Sequence, residues 1–315
     1  MLFDYNILNS KNFRIPLIGV GNLSMGGTGK TPLVEYIIRN FNNDYNLAFL
    51  SRGYNRDLSG YIKANNKSTP NSIGDEPFQI FNKFNNIHIA VDEDRNRGVE
   101  NLLKENNNLN SIILDDCFQH RYVNCKLNIL LSTYSEPFFN DYLLPVGNLR
   151  ESRSGYQRAD VIIITKCPKK LSIIEINKFT NSVKLKNCQS LFFTTIQYNT
   201  TLLGSSSIKI KKLQDLKVLL VTGIADFTEL LKFLNKQDIN YDHIYFPDHH
   251  NYTTNDIKMI EKSYRDYVVL TTEKDYHKIN NLRLRNQLYY LEIETKFLNN
   301  GEDSFNKLIK KTLAN

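Results

Sequence analysis

The chain has 315 residues, enough for about two domains of roughly 150 residues each, and its 41% hydrophobic content can fill real cores. A net charge of +7 suits anionic partners (nucleotides, phosphorylated substrates, an acidic membrane surface, nucleic acid) without choosing among them. The four cysteines, Cys117, Cys125, Cys167 and Cys188, form no C-x-x-C pair, which argues against a structural zinc and for a reducing compartment. No run approaches the roughly 18 apolar residues of a bilayer span. The start, MLFDYNILNS, lacks the basic head and apolar core of a signal peptide. A cytoplasmic protein is expected, or one held peripherally at the cytoplasmic face of a membrane.

In chain order, short apolar runs fall at 15–20, 46–51, 87–92, 111–116, 127–132 and 159–166. Continuous runs of this kind suit strands buried on both faces of a parallel sheet. Helical patterns lie between several of them, at Thr31 to Phe41 and Asp94 to Lys104. The alternation predicts an α/β fold, a doubly wound and mostly parallel sheet of the P-loop NTPase kind. A polar stretch at 199–215 reads as a linker or inter-domain strand. The pattern then restarts, with a strand and turn at 217–226, a strand running into a loop at 243–250, strands at 267–275 and 288–294, and helices at 227–236, 255–264 and 304–313. The expected division is 1–200 for a nucleotide-binding core and 201–315 for a smaller α/β domain.

The sharpest local signal is SMGGTGKT, residues 24–31. It follows a strand and opens a helix, and it matches G-x-x-x-x-G-K-[ST] except that Ser24 stands at the first glycine. Ser24, Met25, Gly26, Gly27, Thr28 and Gly29 would curl so that backbone N–H groups face phosphate oxygens, helped by the positive end of the helix dipole. Lys30 would bridge the β- and γ-phosphates and Thr31 would offer its hydroxyl to Mg²⁺. Such a loop needs an acidic metal partner at a strand end. SIILDD supplies Asp115 and Asp116 at the edge where open α/β sheets bind ligands.

Other polar clusters exceed what a simple ATPase requires. GDEP (74–77) puts Asp75 and Glu76 before a helix, either within reach of a nucleotide or as an N-cap and a dipole partner. LLPVGNLRES (143–152) carries Arg150 and Glu151; Arg150 suits bidentate recognition of phosphate or sugar, or a surface ion pair. FPDHH (246–250) sets His249 and His250 beside an acid, suited to proton chemistry or to a structural role.

GNLSMGGTGKTP, SRGYNR, GDEP, DDCFQH, PVGNLRES, TGIA, FPDHH and TEKD occur in this order over nearly the whole chain. As an ordered set they resemble the tetraacyldisaccharide 4'-kinase family, in which Ser or Thr commonly stands at the Ser24 position. The resemblance implies ATP-dependent phosphorylation of the 4'-hydroxyl of a tetraacylated glucosamine disaccharide 1-phosphate, a lipid A precursor. It implies that Asp75 is the base on the sugar hydroxyl and that His249 pairs with it across a domain cleft. It places Glu76, Asp115 and Asp116 around Mg²⁺ with Thr31, and Arg150 and Glu151 on the disaccharide. His120, Arg95 and Lys274 match motifs without a firm role. Two departures stand out. Cys117 replaces the usual Gly of DDGFQH, which would strain the loop if that backbone sits close to the nucleotide or adopts a positive φ. The chain also begins at MLFDYN, where the family usually carries a longer amphipathic or apolar helix that docks on the membrane; either the start was placed late, or attachment is weaker and rests on residual apolar and basic surface.

Two rivals are a P-loop ATPase of the partner-switching or metal-chaperone kind and a nucleic-acid-binding NTPase. The first wants a lysine early in its loop, where Ser24-Met25 stands. The second wants a basic stripe with interleaved aromatics, and the densest basic run is only KIKK (209–212). No nucleic-acid partner is expected, and a monomer is.

Overall fold

The computed structural model describes residue 3 and residues 8–314. The opening MLFDYN, apart from Phe3, lies outside the described residues, and so does any reading of how it meets a membrane. The packing divides the chain into two compact units: residues 1–196 with 295–315, and residues 197–294.

The first unit runs β1 (Leu17–Asn22), α1 (Lys30–Phe41), β2 (Leu47–Ser51), β3 (Ile62–Lys63), α2 (Pro70–Ile73), α3 (Asp75–Lys83), β4 (His88–Val91), α4 (Arg95–Glu105), β5 (Ser111–Asp115), β6 (Leu127–Thr133), β7 (Val161–Thr165), α5 (Ile173–Val183) and β8 (Ser190–Tyr198). Among the described residues its sheet has nine strands, ordered β15-β8-β7-β6-β1-β5-β2-β4-β3, where β15 is Ile293–Phe297. β1, β2, β4, β5, β6, β7 and β8 pair in parallel, and β3 adds an antiparallel edge. Alternate side chains of β5 enter opposite layers: Ile113 joins the apolar cluster of Val20, Ile37 and Phe41, while Ile112 and Leu114 join that of Leu17, Leu50 and Leu102. Period-two alternation in an all-apolar strand is what burial on both faces demands.

Two helices that begin at the sheet's carboxyl edge are tied to each other. Glu35 of α1 and Lys83 of α3 form a buried ion pair at 2.8 Å, and Gln79 donates to the same carboxylate at 2.7 Å. A charge pair taken out of water is costly to break from one side. It therefore fixes the position of one helix against the other, and so the position of Lys30 and Thr31 relative to Asp75 and Glu76.

The second unit contains β9 (Thr201–Gly204), β10 (Ile208–Lys209), β11 (Val218–Thr222), α6 (Thr228–Lys236), β12 (Tyr241–Tyr245), α7 (Thr254–Ser263), β13 (Val268–Thr272), α8 (Glu273–Asn280) and β14 (Leu288–Leu291). Its sheet is ordered β10-β9-β14-β13-β11-β12, with β11, β12, β13 and β14 parallel. The stretch read as a linker or an inter-domain strand forms a hairpin: β9 and β10 pair with each other, and β9 pairs with β14. The run 288–294 is not one strand. β14 and β15 enter different sheets.

The expected second domain, 201–315, is corrected at its far end, since 295–315 belongs to the first unit. α9 (Gly301–Leu313) is held there by Phe305, fully buried against Tyr36, Phe192 and Phe297. The Tyr36 hydroxyl also donates to Glu302 and Asn306, both at 3.0 Å. Phe305→Ala should lower the unfolding free energy by about 3–5 kcal/mol in urea titrations. A loss below about 1 kcal/mol would show that α9 is not part of this core.

Candidate active site

β1 ends at Asn22 and β5 at Asp115, and Val20 lies in register with Asp115, so both chains leave the same carboxyl edge side by side. After β1 the chain turns through Gly26 (φ 97°) and Gly29 (φ 87°), conformations that L side chains avoid. A Cβ at Gly26 or Gly27 would meet nothing within 4 Å among the described residues, so the turn is open on that side. Gly29 caps α1, and among the described residues no side chain caps the N-terminus of that helix. Thr28 is buried: its hydroxyl accepts from Asn22 Nδ2 at 2.9 Å, and its carbonyl accepts from Thr165 Oγ1 at 2.8 Å. The loop is thereby stitched to β1 and β7, with about 0.5–1.5 kcal/mol from a bond of this kind.

The start of the loop is zipped to the segment ahead of Arg150. Ser24 bridges Leu149, Met25 N–H donates to Asn148 O at 2.8 Å, and Arg150 N–H donates to Leu23 O at 2.7 Å. A small residue at position 24 suits this edge pairing. Arg150 is thus delivered into the site. Its guanidinium forks onto Asp116 with two bonds of 2.9 Å and donates to Asn22 O at 3.1 Å and to Asn22 Oδ1. Lys30 Nζ lies 3.3 Å from Asp116 Oδ1 and 3.4 Å from Asn22 Oδ1. Glu151 is engaged by Arg158 through two 2.8 Å contacts and by Gln119 at 2.9 Å. Gln119 also donates to Asn22 O at 2.9 Å. Asn22, 1% exposed, is the hub of this network and was given no role from sequence. The signal was present: an asparagine closing an otherwise apolar strand just ahead of a glycine-rich loop.

The two aspartates differ in state. Asp115 is pushed up to about 6, first by burial and then by the like charges of Asp116 and Glu76, with Lys30 opposing. Its Oδ2 accepts from Ser51 Oγ at 3.3 Å, while its Oδ1 is buried without a hydrogen-bond partner among the described residues. Burial also pushes Asp116 up, but the hydrogen bonds from Arg150 and the charge of Lys30 outweigh it and hold the carboxyl well below its usual range. Arg95, 2% exposed, donates to Asp115 O at 3.1 Å and to Asp92 O at 2.6 Å. His120 is lowered to about 4 by burial and then by Arg95 and Arg52, so it is neutral at pH 7.

The residue with left-handed backbone in this loop is Asp116 (φ 45°), not Cys117. The expected strain at Cys117 is corrected: its side chain enters the core beside Cys125, in space left by Gly19, where a Cβ would lie 2.8 Å from Cys117 Sγ. Cys replaces Gly here without a backbone cost.

Gly74, not Asp75, occupies the cap of α3, with φ 93°. Its Cβ would lie 3.1 Å from Gly53 Cα and Tyr54 O, so GDEP packs flat on SRGY. Asp75 and Glu76 sit in the first turn, half-buried, and Glu76 bears electrostatically on Asp115. The first unit thus brings together Ser24, Met25, Gly26, Gly27, Thr28, Gly29, Lys30, Thr31, Asp115, Asp116, Arg150 and Glu151, with Glu76 near.

His249 lies in the second unit. Its backbone is left-handed (φ 60°), with N–H donating to Gly223 O at 3.2 Å and to Asp248 Oδ1 at 3.0 Å. Lys274 Nζ donates to His249 Nε2 at 3.1 Å. Buried Asp275 holds Gly223 N–H at 2.9 Å and so props the same turn. His250 has a structural place, stacked on Phe246 and bonded to Asp256 at 3.1 Å.

The site suits a nucleotide with its metal. The glycine turn is open, and Asp115 carries an orphaned buried oxygen. Among the described residues no group of three or more His, Cys, Asp or Glu could hold an ion alone. That fits Mg²⁺, which takes one or two carboxylates and completes its shell with phosphate and water.

Because its folded pKa of about 6 exceeds the ordinary 3.8, Asp115 costs stability as pH rises through that window. Asp115→Asn should therefore be more stable than the parent at pH 8, by up to about 3 kcal/mol without Mg²⁺ or nucleotide, and the gap should shrink toward pH 4. A gap in urea titrations that does not change with pH would contradict the assignment.

A family model described as tetraacyldisaccharide-1-P 4'-kinase matches residues 1–314. Tetraacyldisaccharide 4'-kinase of Flavobacterium psychrophilum is 43% identical, covering 98% of this chain and 90% of the relative. That of Flavobacterium johnsoniae is 41% identical, covering 96% and 88%, and that of Bacteroides thetaiotaomicron is 39% identical, covering 98% and 87%. A crystal structure of the "apo" form of LpxK from Aquifex aeolicus in complex with ATP superposes with a TM-score of 0.78 at 28% identity, covering 99% of this chain and 93% of that one. The chain belongs to the tetraacyldisaccharide 4'-kinase family.

Proposed function

We propose that the carboxyl edge of the nine-stranded sheet is where ATP delivers its γ-phosphoryl group to the 4'-hydroxyl of a tetraacylated disaccharide 1-phosphate. The activity is the family's: a transferase that uses ATP to phosphorylate a hydroxyl group in lipid A biosynthesis. The observation that carries the assignment is the open glycine turn beside Lys30, with Asp115 and Asp116 alongside.

The roles follow from what each group can do. Backbone N–H groups of residues 24–29 and the start of α1 receive the phosphates, and Lys30 neutralises charge between the β- and γ-groups. Lys30 already rests on Asp116, so the nucleotide exchanges one anionic partner for another. Thr31, Glu76, Asp115 and Asp116 would hold Mg²⁺, which when bound supplies charge neutralisation at the β- and γ-oxygens. Asp75, at the first turn of α3, takes the proton of the sugar hydroxyl late in the transfer. The family resemblance also assigns His249 a part in proton transfer. Arg150 and Glu151 address the acceptor, and Arg150 keeps its fork on Asp116 until ligands compete for it. The enzyme works as a monomer, peripheral at the cytoplasmic face of the membrane.

Asp75→Asn removes one proton acceptor and leaves the glycine turn untouched. Turnover on a detergent-dispersed acceptor should fall by about 10²–10⁴-fold while ATP binding, read by calorimetry, is retained. Near-normal turnover would exclude Asp75 as the base. Loss of ATP binding would move it to the nucleotide side.

A further inference from the structure

The segment that zips onto the glycine loop carries an unusual tip. Tyr142, Leu143, Leu144 and Val146 are 62%, 50%, 49% and 83% exposed, and Met25, joined to Asn148 through its backbone, is 58% exposed. Single exposed hydrophobes are ordinary, but a run of them in one loop is not. The exposure is built in. Leu149 N–H donates to Tyr142 O at 2.9 Å, Leu144 N–H to Leu149 O at 3.0 Å and Gly147 N–H to Leu143 O at 3.1 Å. Asp141, the acid at the base of the loop, is turned inward onto the N–H groups of Tyr142 and Asn148. A Cβ at Gly147 would lie 2.3 Å from that carboxylate, so the tight turn admits only glycine. Backbone bonds thus hold four apolar side chains outward.

The surroundings are basic. The Arg153 guanidinium lies 4.8 Å from the centre of the Tyr142 ring. The loop after β7, at the same carboxyl edge, exposes Lys169 and Lys170, followed by Ile173 and Ile174 at 76% and 80% exposure. Phe139, just before the tip, packs edge-on against Phe179 of α5, so both segments roof one apolar layer.

We propose that residues 142–146, with Ile173 and Ile174 and the flanking Arg153, Lys169 and Lys170, form a docking surface for an anionic lipid bilayer. Apolar tips that enter the headgroup region beside lysines and arginines are the chemistry of interfacial anchoring. A narrow tip fits this better than the broad face of roughly 800 Å² that a stable protein partner covers. The placement rests on the kinase reading in one respect: a tetraacylated acceptor reaches the glycine loop from a membrane, and the tip is stitched to that loop.

The test is sedimentation of the full chain with phosphatidylcholine vesicles, with and without phosphatidylglycerol. The parent should bind the anionic vesicles. Val146→Asp and Leu143→Asp should each bind at least about tenfold more weakly, a loss of about 1.4 kcal/mol. The lysine pair changed to alanine should lose only the preference for phosphatidylglycerol. Activity on a detergent-dispersed acceptor should stay at the parent level in Val146→Asp while activity on vesicle-embedded acceptor falls. Absence of any kinase activity in the parent would overturn the kinase reading and leave the docking result standing. Equal vesicle binding by parent and variants overturns the docking surface. So does a parent that ignores vesicles and forms a dimer that Val146→Asp dissolves, which would make the tip a protein interface.

Discussion

The fork of Arg150 on Asp116 is the contact on which the rest of the site depends. β5 ends at Asp115, Asp116 follows it directly, and Glu76 adds a third acid nearby. Concentrating acid at the rim of an apolar sheet is unfavourable unless cations answer it. Three do: Arg150 and Lys30 meet Asp116 from the side of the glycine loop, and Arg95 lies buried beneath the Asp115 carbonyl. Each comes from a different segment, so charge balance at one point gathers three loops. Asn22 completes the arrangement with its backbone oxygen and side chain together. The balance is uneven, and that is the functional part. Asp116 is fully answered, whereas Asp115 keeps an orphaned oxygen and a raised pKa. A folded chain keeps such a group where a ligand completes it.

Much of this was legible in the sequence because the signals are local. An apolar run bounded by turns becomes a strand buried on two faces, and G-G-T-G-K-T between strand and helix has few other physical uses. The acids at 115–116 were readable because a carboxyl edge is where polar residues follow a buried strand. What stayed hidden depended on distant partners. β3 and β10 are two residues long and exist only through edge pairing. Residues 288–294 look like one strand, and only packing sends β14 and β15 to separate sheets. Helix α8 was missed although Thr272 and Asp275 carry its cap in sequence; the run TEKD had been read as the end of a strand.

The backbone corrections are instructive too. A residue in place of an expected glycine is harmless if the left-handed turn belongs to its neighbour. Asp116 takes that turn, as a short polar side chain tolerates, and Cys117 fills the gap over Gly19. At GDEP the glycine is the cap, which places the acid one step inside the helix. A capping carboxylate would be spent on its own helix. In both motifs, identity at one position is explained by the conformation of the next.

The most direct measurement is transfer of label from γ-labelled ATP to a detergent-dispersed tetraacyldisaccharide 1-phosphate, with ATP hydrolysis followed in parallel and the Lys30→Ala variant as control. The account predicts label on the 4'-hydroxyl that disappears with Lys30 and hydrolysis that is slow without acceptor. Rapid hydrolysis that ignores the acceptor and leaves the lipid unlabelled would contradict it.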